Sequence, residues 1–310
     1  MAKSSPILLL AILCLCAMAA EQPYKKIIHN SDLNAKCLDG TSPALYLHEG
    51  GDKAKFLIFF VGGGYCSGTT LNEVLEQCYA RSKEDTGSSK NLPEMILSPG
   101  GYLSTDESLN KFATWTKFII FYCDGAHHQG YNKQPISYKD TTLYFRGEAN
   151  TKSHFKWIST QYDFAGAEKV LLTGASSGGI ATFSYNNYVR SLLKNPEVLY
   201  TVIDSGTFMN ASNPYTGTYD FSEEAKTLFQ ISNADAKSPI DLCNHKFPGE
   251  EYKCLFLQYS FTSIQGRLMI VNSEYDEVGL EGIGTTCLKN TDRTKGKTLA
   301  NCNATELSYI

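Results

Sequence analysis

Five short apolar runs divide the chain, and each is continuous rather than alternating with polar residues. Such runs are typical of strands that are covered on both faces of a sheet. Mixed polar and apolar stretches between them are long enough for crossover helices, for example Leu71–Ser82, Ser159–Glu168 and Ala181–Leu193. This order predicts a mostly parallel sheet with helices on both faces. The predicted strands are Phe56–Val61, Phe118–Tyr122, Val170–Thr173, Tyr200–Ile203 and Leu268–Val271.

The third predicted strand runs directly into Gly174-Ala175-Ser176-Ser177-Gly178-Gly179, and a predicted helix follows without a loop. Strand, tight turn and helix are the context in which the G-x-S-x-G motif of serine hydrolases occurs. The turn strains the central residue, which only small neighbours tolerate. We therefore expect an α/β-hydrolase-like sheet with Ser176 as the nucleophile. The alternative is a Gly/Ser loop that only turns the chain.

A glycine run follows the first predicted strand, in Gly62-Gly63-Gly64-Tyr65-Cys66. Glycines at the carboxyl end of a strand let backbone N–H groups face a bound oxygen without interference from Cβ atoms. In this fold that loop supplies one half of the oxyanion hole, and the N–H after the nucleophile supplies the other half. The sequence thus predicts donors at Gly63, Gly64 and Ser177, and the alternative is a simple glycine turn.

A polar loop, Cys123-Asp124-Gly125-Ala126-His127-His128, follows the second predicted strand. Loops at the carboxyl edge of a parallel sheet line ligand sites. Asp124 and His127, with Tyr65 of the glycine run, are therefore candidates for substrate binding. The alternative is a turn at Asp124-Gly125 with solvated histidines.

A serine hydrolase of this fold needs an acid and a histidine after the nucleophile. Asp204 follows the fourth predicted strand and Asp276 follows the fifth, so either is eligible as the acid. No histidine follows Asp276 in the sequence. The histidines outside the strand-end loops are expected in surface or core positions; they are His29, His48, His154 and His245.

The first twenty residues have the pattern of a secretory signal peptide. Lys3 supplies a short positive region, Ile7–Ala20 is apolar, and Ala17-Met18-Ala19 has the small-x-small form of a cleavage site. We expect an exported chain with one domain, residues 21–310, and with no membrane span. The net charge of −4 argues against a nucleic-acid partner.

Eight cysteines remain after that peptide, and an even number in an exported chain predicts disulfides. Cys66/Cys78 and Cys243/Cys254 are close enough to form small loops, whereas the other pairings cannot be deduced. No C-x-x-C pair occurs and the histidines are scattered, so we expect no metal and no cofactor. Two glycosylation acceptors are present, Asn210-Ala211-Ser212 and Asn303-Ala304-Thr305.

Several segments together resemble the pectin acetylesterase/Notum family of secreted carboxylesterases. They span most of the mature chain and comprise Phe59–Cys66, Phe121–Ala126, Leu143–Gly147, Leu171–Gly179 and the stretch from Cys254 to Asp276. The resemblance implies that Ser176 is the nucleophile, that Asp276 rather than Asp204 is the triad acid, and that Gly63, Gly64 and Ser177 supply the oxyanion donors. The implied substrate is an O-acetylated polysaccharide if the acyl pocket is small, or a fatty-acylated protein if it is deep.

Two departures from the family pattern affect these expectations. Tyr65 stands where pectin acetylesterases usually have Trp, which changes the pocket wall. Family members also continue further and carry their catalytic histidine in a Cys-containing segment near the carboxyl terminus. We therefore expect that the sequence is incomplete there and that residues 21–310 form a monomer with little esterase turnover. We also expect that at least one cysteine lacks its partner, with Cys287 and Cys302 the first candidates because they lie nearest the end. The competing hypothesis is a non-catalytic secreted binding glycoprotein.

Overall fold

A central sheet of eight strands organises the computed structural model, which describes residues 21–213, 216–233, 239–276 and 278–279. The predicted signal peptide lies outside the described residues. The order of strands across the sheet is β10-β9-β8-β3-β5-β2-β1-β4, and β6 and β7 form a separate hairpin. The strands are β1 (Tyr24–Ile28), β2 (Ala44–His48), β3 (Asp52–Phe60), β4 (Met95–Ile96), β5 (Trp115–Ile120), β6 (Ile136–Tyr138), β7 (Thr141–Leu143), β8 (Lys169–Ala175), β9 (Leu199–Asp204) and β10 (Arg267–Val271).

The five predicted strands are confirmed as β3, β5, β8, β9 and β10, which are neighbours in the sheet and parallel to one another. Strands β1, β2 and β4 extend the sheet on one side with antiparallel pairing. The apolar runs did not predict these three strands: β1 and β4 include exposed positions, and β2 ends in two partly buried residues, Leu47 and His48. The prediction of a mostly parallel α/β sheet is confirmed.

Two of the three predicted crossover helices are confirmed. Helix α1 begins with a capping box in which Thr70 and Glu73 satisfy each other's backbone N–H groups, and α3 begins directly after Ser176. The helix predicted at Ser159–Glu168 is wrong, because α2 ends at Gln161. The helices are α1 (Leu71–Arg81), α2 (Gly147–Gln161), α3 (Ser177–Ser191), α4 (Asp220–Ser232), α5 (Asp241–Asn244) and α6 (Leu257–Ser260).

The error at α2 has a physical reason in the residues that this helix buries. Its inward face includes Glu148, Asn150, Thr151 and His154, so the apolar periodicity that marks a packed helix is absent. Some polar residues at these positions have tertiary partners; Asn150, for example, donates to the carbonyl oxygen of Lys36 at 2.9 Å.

The main core lies between the sheet and helices α2 and α3. Phe56, Ile58 and Phe60 of β3 point to this side and are fully buried, together with Phe155 of α2 and Tyr185 of α3. Burying a side chain of this size stabilises the fold by about 1.5–3 kcal/mol. These contacts fix β3 and β8 against α3, and so they fix the position of the turn that carries Ser176.

The five parallel strands end at one edge of the sheet, which is called here the carboxyl edge. Their last residues are Phe60, Ile120, Ala175, Asp204 and Val271. The loops that follow these parallel strands meet at this edge, so side chains far apart in the sequence come together there. The candidate site described below lies at this edge.

Three disulfides occur in the described residues. The pairs Cys66–Cys78 and Cys243–Cys254 are confirmed, and Cys37–Cys123 ties the amino-terminal segment to the end of β5. The prediction for Cys287 and Cys302 concerns positions outside the described residues. The side-chain amide of Asn210, one predicted glycosylation acceptor, donates to the Tyr259 hydroxyl at 3.0 Å. None of the described helices is both long enough and apolar enough to cross a membrane.

Candidate active site

Ser176 occupies the sharp turn between β8 and α3. Its backbone has φ 57° and ψ −124°, in the left-handed half of conformational space that non-glycine residues rarely adopt. Two backbone bonds hold this strain: the Ser176 N–H donates to the carbonyl oxygen of Asp204 at 3.1 Å, and its carbonyl accepts from Gly179 at 2.8 Å. The predicted strand, elbow and helix are therefore present at this position.

Close backbone approach explains two glycines around the elbow. A Cβ atom on Gly178 would lie 2.0 Å from the carbonyl oxygen of Phe60, and one on Gly62 would lie 2.2 Å from that of Ala175. A side chain at either position would therefore force the end of β3 away from the elbow. Both contacts place the glycine loop after β3 directly beside Ser176.

Two side chains from distant parts of the sequence hold successive carbonyl groups of the glycine loop. Gly63 and Gly64 have φ of +143° and +68°, which glycine adopts without strain. Arg81, at the end of α1, donates to the Gly63 carbonyl oxygen at 2.6 Å, and the Ser177 hydroxyl donates to the Gly64 carbonyl oxygen at 2.6 Å. Because the C=O and N–H of a trans peptide point in opposite directions, each bond also fixes the direction of the next N–H along the loop.

The three predicted oxyanion donors have uncommitted N–H groups. Among the described residues, no hydrogen bond is donated by the backbone N–H of Gly63, Gly64 or Ser177. An N–H that is left without a partner near a buried site costs free energy unless water or a ligand accepts from it. These groups are therefore available for a substrate oxygen beside Ser176.

His127 supports this loop through Ser177. Its Nδ1 lies 3.2 Å from the Ser177 hydroxyl oxygen. Because the single hydroxyl hydrogen of Ser177 is donated to Gly64, the Nδ1 of His127 must carry the proton and donate to Ser177. Burial, reinforced by the nearby His128 and Arg81, lowers the pKa of His127 to about 3, so its ring is neutral.

Asp124 and His128 lie behind the site and not at its surface. Asp124 is 1% exposed, and its carboxylate accepts from the backbone N–H groups of Ala126, His128 and Gly130 at 2.9 to 3.2 Å. Asp124 was expected to contact substrate; in the structure its oxygens accept from these N–H groups and shape the loop, and a contact with substrate stays a prediction. His128 is also buried, and its Nε2 lies 2.8 Å from the Val61 carbonyl oxygen. The alternative of solvated histidines is therefore wrong for both His127 and His128.

The two candidate acids face different surroundings. Asp276 follows β10, is partly buried and accepts from the Gly279 N–H at 2.8 Å. Asp204 supports the elbow through its backbone, whereas its side chain accepts from the Ser205 hydroxyl at 2.9 Å and lines an apolar cavity that also contains Phe59.

A histidine partner for Ser176 is absent from the described residues, which contain all six histidines of the sequence. No hydrogen bond joins the Ser176 hydroxyl to any of them. His29 and His154 pair with each other at 2.9 Å instead. In the same part of the chain, no three His, Cys, Asp or Glu side chains gather as a metal ion would require.

A small apolar cavity of about 30 Å³ adjoins the glycine loop and the first turn of α3. Tyr65 contributes one wall, and its hydroxyl donates to the carboxylate of Glu224 on α4. Burial and then the charge of Glu224 raise the pKa of Tyr65 well above its ordinary value, so the hydroxyl keeps its proton. The residues that line the cavity are Tyr65, His127, Ile180, Phe208, Phe221, Ala225, Leu255 and Phe256.

Sequence reasoning missed Arg81 and Glu224. Arg81 is the last residue of α1, where a cation that favours the helix dipole is common, so nothing in the sequence distinguishes it. Glu224 lies 159 positions from Tyr65 along the chain, and only the packing of α4 over the glycine loop brings the two together.

The profile of the family described as Pectinacetylesterase matches residues 17–310. The chain belongs to the pectinacetylesterase family. Pectin acetylesterase 4 of Arabidopsis thaliana is 31% identical over 78% of the chain and 57% of that protein's length. Palmitoleoyl-protein carboxylesterase notum1 of Xenopus laevis is 26% identical over 82% of the chain and 52% of that protein.

The chain thus spans little more than half the length of these two members. The solved structure of the Wnt deacylase Notum from Drosophila superposes with a TM-score of 0.75, at 19% identity, over 87% of the chain and 77% of that structure. This likeness confirms the α/β-hydrolase-like fold. The named relatives are carboxylesterases, so the membership supports ester hydrolysis as the chemistry of the family site.

Proposed function

We propose that this pectinacetylesterase-family protein is a serine carboxylesterase that removes O-acetyl groups from a polysaccharide. The observation that carries the proposal is the strained Ser176 elbow beside three uncommitted N–H groups, those of Gly63, Gly64 and Ser177. A solvent-accessible nucleophile next to preorganised donors is the arrangement that acyl transfer requires, and Ser176 is partly exposed.

The proposed reaction has two halves. The Ser176 oxygen forms a bond to the acetyl carbonyl carbon while its proton passes to a base, and the oxyanion accepts from the three N–H groups. Collapse releases the sugar hydroxyl, which takes up the proton, and leaves an acetyl group on Ser176. Water then removes the acetyl group by the same steps. Asp276 is proposed as the acid that orients the base, and no described histidine contacts Ser176 to serve as that base.

The size of the acyl pocket favours acetate over a fatty acid. The cavity of about 30 Å³ beside the glycine loop offers space for about two water-sized groups, which suits an acetyl group. The Tyr65–Glu224 bond and the ring of Phe256 close its walls. Deacylation of a fatty-acylated protein, as the name of the Xenopus relative states for that protein, would require a longer pocket than this cavity provides.

The proposal also includes export of the protein from the cell. The pattern of residues 1–20 predicts export, with residues 21–310 as the hydrolase domain, and the disulfides of the described residues suit an oxidising compartment. A polysaccharide outside the cell is then the accessible substrate.

A second candidate function is a non-catalytic binding protein. The observation that favours it is the lack of a hydrogen bond between the Ser176 hydroxyl and any histidine of the described residues. Loss of one triad member lowers the rate of a serine hydrolase by about 10⁴–10⁶. Residues 21–310 alone should therefore hydrolyse p-nitrophenyl acetate slowly.

Chemical rescue separates the two candidates. Free imidazole should act as the base, accelerate p-nitrophenyl acetate hydrolysis by the protein, and leave an acetyl group on the peptide that contains Ser176. Ser176→Ala should abolish both effects after subtraction of the reaction with imidazole alone. Ser205→Ala is the matched control, since Ser205 also follows a strand with a positive φ of 47°. Equal rates for wild type and Ser176→Ala, with no acetylated peptide, would favour the binding protein.

A further inference from the structure

The asparagine of one glycosylation acceptor, Asn210-Ala211-Ser212, is turned into the protein. Its side-chain Nδ2 donates to the Tyr259 hydroxyl at 3.0 Å. Its Oδ1 is buried, and no group in the described part of the chain donates to it. An N-linked glycan is bulky and needs a surface position. The Asn210 amide therefore cannot carry a glycan in the orientation that the structure shows, although Ser212 of the same acceptor is exposed.

The backbone of Asn210 is bound to the same short helix, α6. Its N–H donates to the side-chain oxygen of Gln258 at 2.9 Å, and its carbonyl oxygen accepts from the Gln258 amide at 3.3 Å. One residue of the loop between β9 and α4 thus makes three hydrogen bonds to two consecutive residues of α6. These three residues, Asn210, Gln258 and Tyr259, are named here the Asn210 clasp. The clasp fixes the loop against α6.

The Asn210 clasp is connected to two walls of the small cavity beside the glycine loop. Phe208, two positions before Asn210, and Phe256, directly before α6, both line that cavity. The Tyr259 ring packs edge-on against the Phe256 ring, with 6.4 Å between their centres. Because the clasp joins the loop of Phe208 to the ring that supports Phe256, it holds these two walls together.

Two orientations of the Asn210 side chain are compatible with its chemistry. In the inward orientation, the amide keeps the Tyr259 bond but leaves its Oδ1 without a donor, which costs free energy. In an outward orientation, the amide loses that bond, whereas its oxygen and nitrogen both reach water. A bulky substituent on Nδ2 permits only the outward orientation. Substitution of this amide would thus release Tyr259 from the loop.

We propose that N-linked glycosylation of Asn210 regulates the acyl pocket by opening the Asn210 clasp. The unmodified amide holds the pocket at the size of an acetyl group, and the glycan releases Tyr259 so that longer acyl groups enter. Ser212 supplies the hydroxyl that the acceptor pattern requires. The inference rests on the proposed function for its assignment of the cavity to an acyl group.

The modification requires a lipid-linked sugar diphosphate as the donor, which an exported chain meets during secretion. A bond forms between Nδ2 of Asn210 and the anomeric carbon of the sugar, while the bond from that carbon to the phosphate oxygen breaks. The lipid diphosphate leaves with the electron pair of the broken bond, and the amide gives up one proton to a base of the transferase. The product is a secondary amide that keeps one N–H.

The acyl selectivity of the two forms tests this proposal in the full chain, exported from a glycosylating host. Mass spectrometry of the Asn210 peptide first measures its occupancy. Ser212→Ala removes the acceptor but lies outside the clasp, so it gives the unmodified form. The ratio of imidazole-supported acylation by p-nitrophenyl butyrate to that by p-nitrophenyl acetate should be roughly two- to tenfold higher in the glycosylated protein, the factor that one hydrogen bond contributes.

Two further variants separate the clasp from the glycan itself. Ser212→Ala combined with Tyr259→Phe opens the clasp without a glycan and should show the raised ratio. Asn303→Gln removes the other predicted acceptor and should leave the ratio of the wild type unchanged. The backbone N–H of Asn210 donates to Gln258, so its hydrogen exchange should be faster in both open forms than in Ser212→Ala.

Three results would overturn the proposal. They are an unoccupied Asn210 in the exported wild type, equal acyl ratios in the glycosylated protein and Ser212→Ala, and equal exchange of the Asn210 N–H in these two forms. The exchange measurement does not depend on ester hydrolysis. If exchange differs as expected but no form is acetylated on Ser176, the glycan-controlled clasp is retained and the proposed esterase activity is lost.

Discussion

At the scale of single residues, the candidate oxyanion loop depends on three side chains that hold its backbone in place. Arg81 and Ser177 hold successive carbonyl groups of the glycine loop, and His127 orients Ser177. Such support is needed because glycine adopts a positive φ without strain but can change to other backbone conformations just as easily. These three side chains are therefore positioning residues for the proposed reaction.

Arg81→Gln should lower the Ser176-dependent, imidazole-supported rate of p-nitrophenyl acetate hydrolysis by roughly tenfold. Loss of one oxyanion donor in other enzymes costs about 10²–10³ in kcat, and loss of its support should cost less. Steady-state kinetics should show the decrease in kcat with little change in KM, and Arg81→Lys should recover part of it. Lys83→Gln, two positions further along, is the control. An unchanged kcat in Arg81→Gln would contradict the assignment.

His127 should be a neutral imidazole with its proton on Nδ1 throughout the range from pH 5 to pH 8. Burial lowers its pKa to about 3, and the Ser177 hydroxyl accepts from this nitrogen. Nitrogen-15 NMR of histidine-labelled protein distinguishes the two tautomers and the charged form. Ser177→Ala should weaken the preference for Nδ1–H. A proton on Nε2 in the wild type would show that Ser177 donates to His127 and not to Gly64.

At the scale of elements, α4 determines the size of the proposed acyl pocket. It places Phe221 and Ala225 over the cavity beside the glycine loop, and its Glu224 binds the Tyr65 hydroxyl. The Phe208 and Phe221 rings lie 5.7 Å apart between their centres, so they close one side together. The acyl selectivity proposed here is therefore a property of the packing of α4 and not of the elbow.

Phe221→Ala should let the protein accept longer acyl groups. Removal of the ring opens the pocket, and one or two methylene groups in an apolar pocket change selectivity by about 10–200-fold. The ratio of imidazole-supported acylation by p-nitrophenyl butyrate to that by p-nitrophenyl acetate should rise at least tenfold. Phe261→Ala removes an exposed ring elsewhere and should leave the ratio unchanged. The same ratio in both variants would remove the cavity from the proposed site.

At the scale of the whole molecule, several buried or partly buried histidines are neutral. Burial lowers the pKa of His29 to about 4 and that of His127 to about 3, and it also lowers the pKa of His128 and of His154. Below their ordinary pKa of 6.5, the unfolded chain binds protons that the folded chain does not bind. The folded state therefore loses stability as pH falls from 6.5 towards 4.

The free energy of unfolding should decrease on acidification from pH 7 to pH 4, by up to about 1.4 kcal/mol per pH unit for each buried histidine. Urea denaturation at each pH measures this slope. His29→Gln should make it shallower, because the folded state no longer excludes that proton, whereas His245→Gln, at an exposed position, should have no such effect. A stability that is constant or rises towards pH 4 would contradict the neutral buried state.

The sequence determined the parts of the fold that depend on local pattern. Continuous apolar runs predicted the five parallel strands, because strands that are covered on both faces have few polar positions. The small residues around Ser176 predicted its strained turn, since only they permit the close backbone contacts that the structure has. The spacing of Cys66 and Cys78 likewise predicted a short loop that a disulfide closes.

Only the tertiary structure decided which side chains meet. Asp124 and His127 belong to one polar loop. The carboxylate of Asp124 accepts from backbone N–H groups, whereas His127 donates to Ser177. No local sequence pattern distinguishes these two roles. Helix α2 escaped prediction because much of its buried face is polar, and some of these residues, such as Asn150, bond to distant parts of the chain. Arg81 likewise binds the Gly63 carbonyl oxygen only because the fold brings the glycine loop to the end of α1. The physical reason is common to all three: a polar group's function depends on its partner, and that partner is supplied by the packing of remote segments.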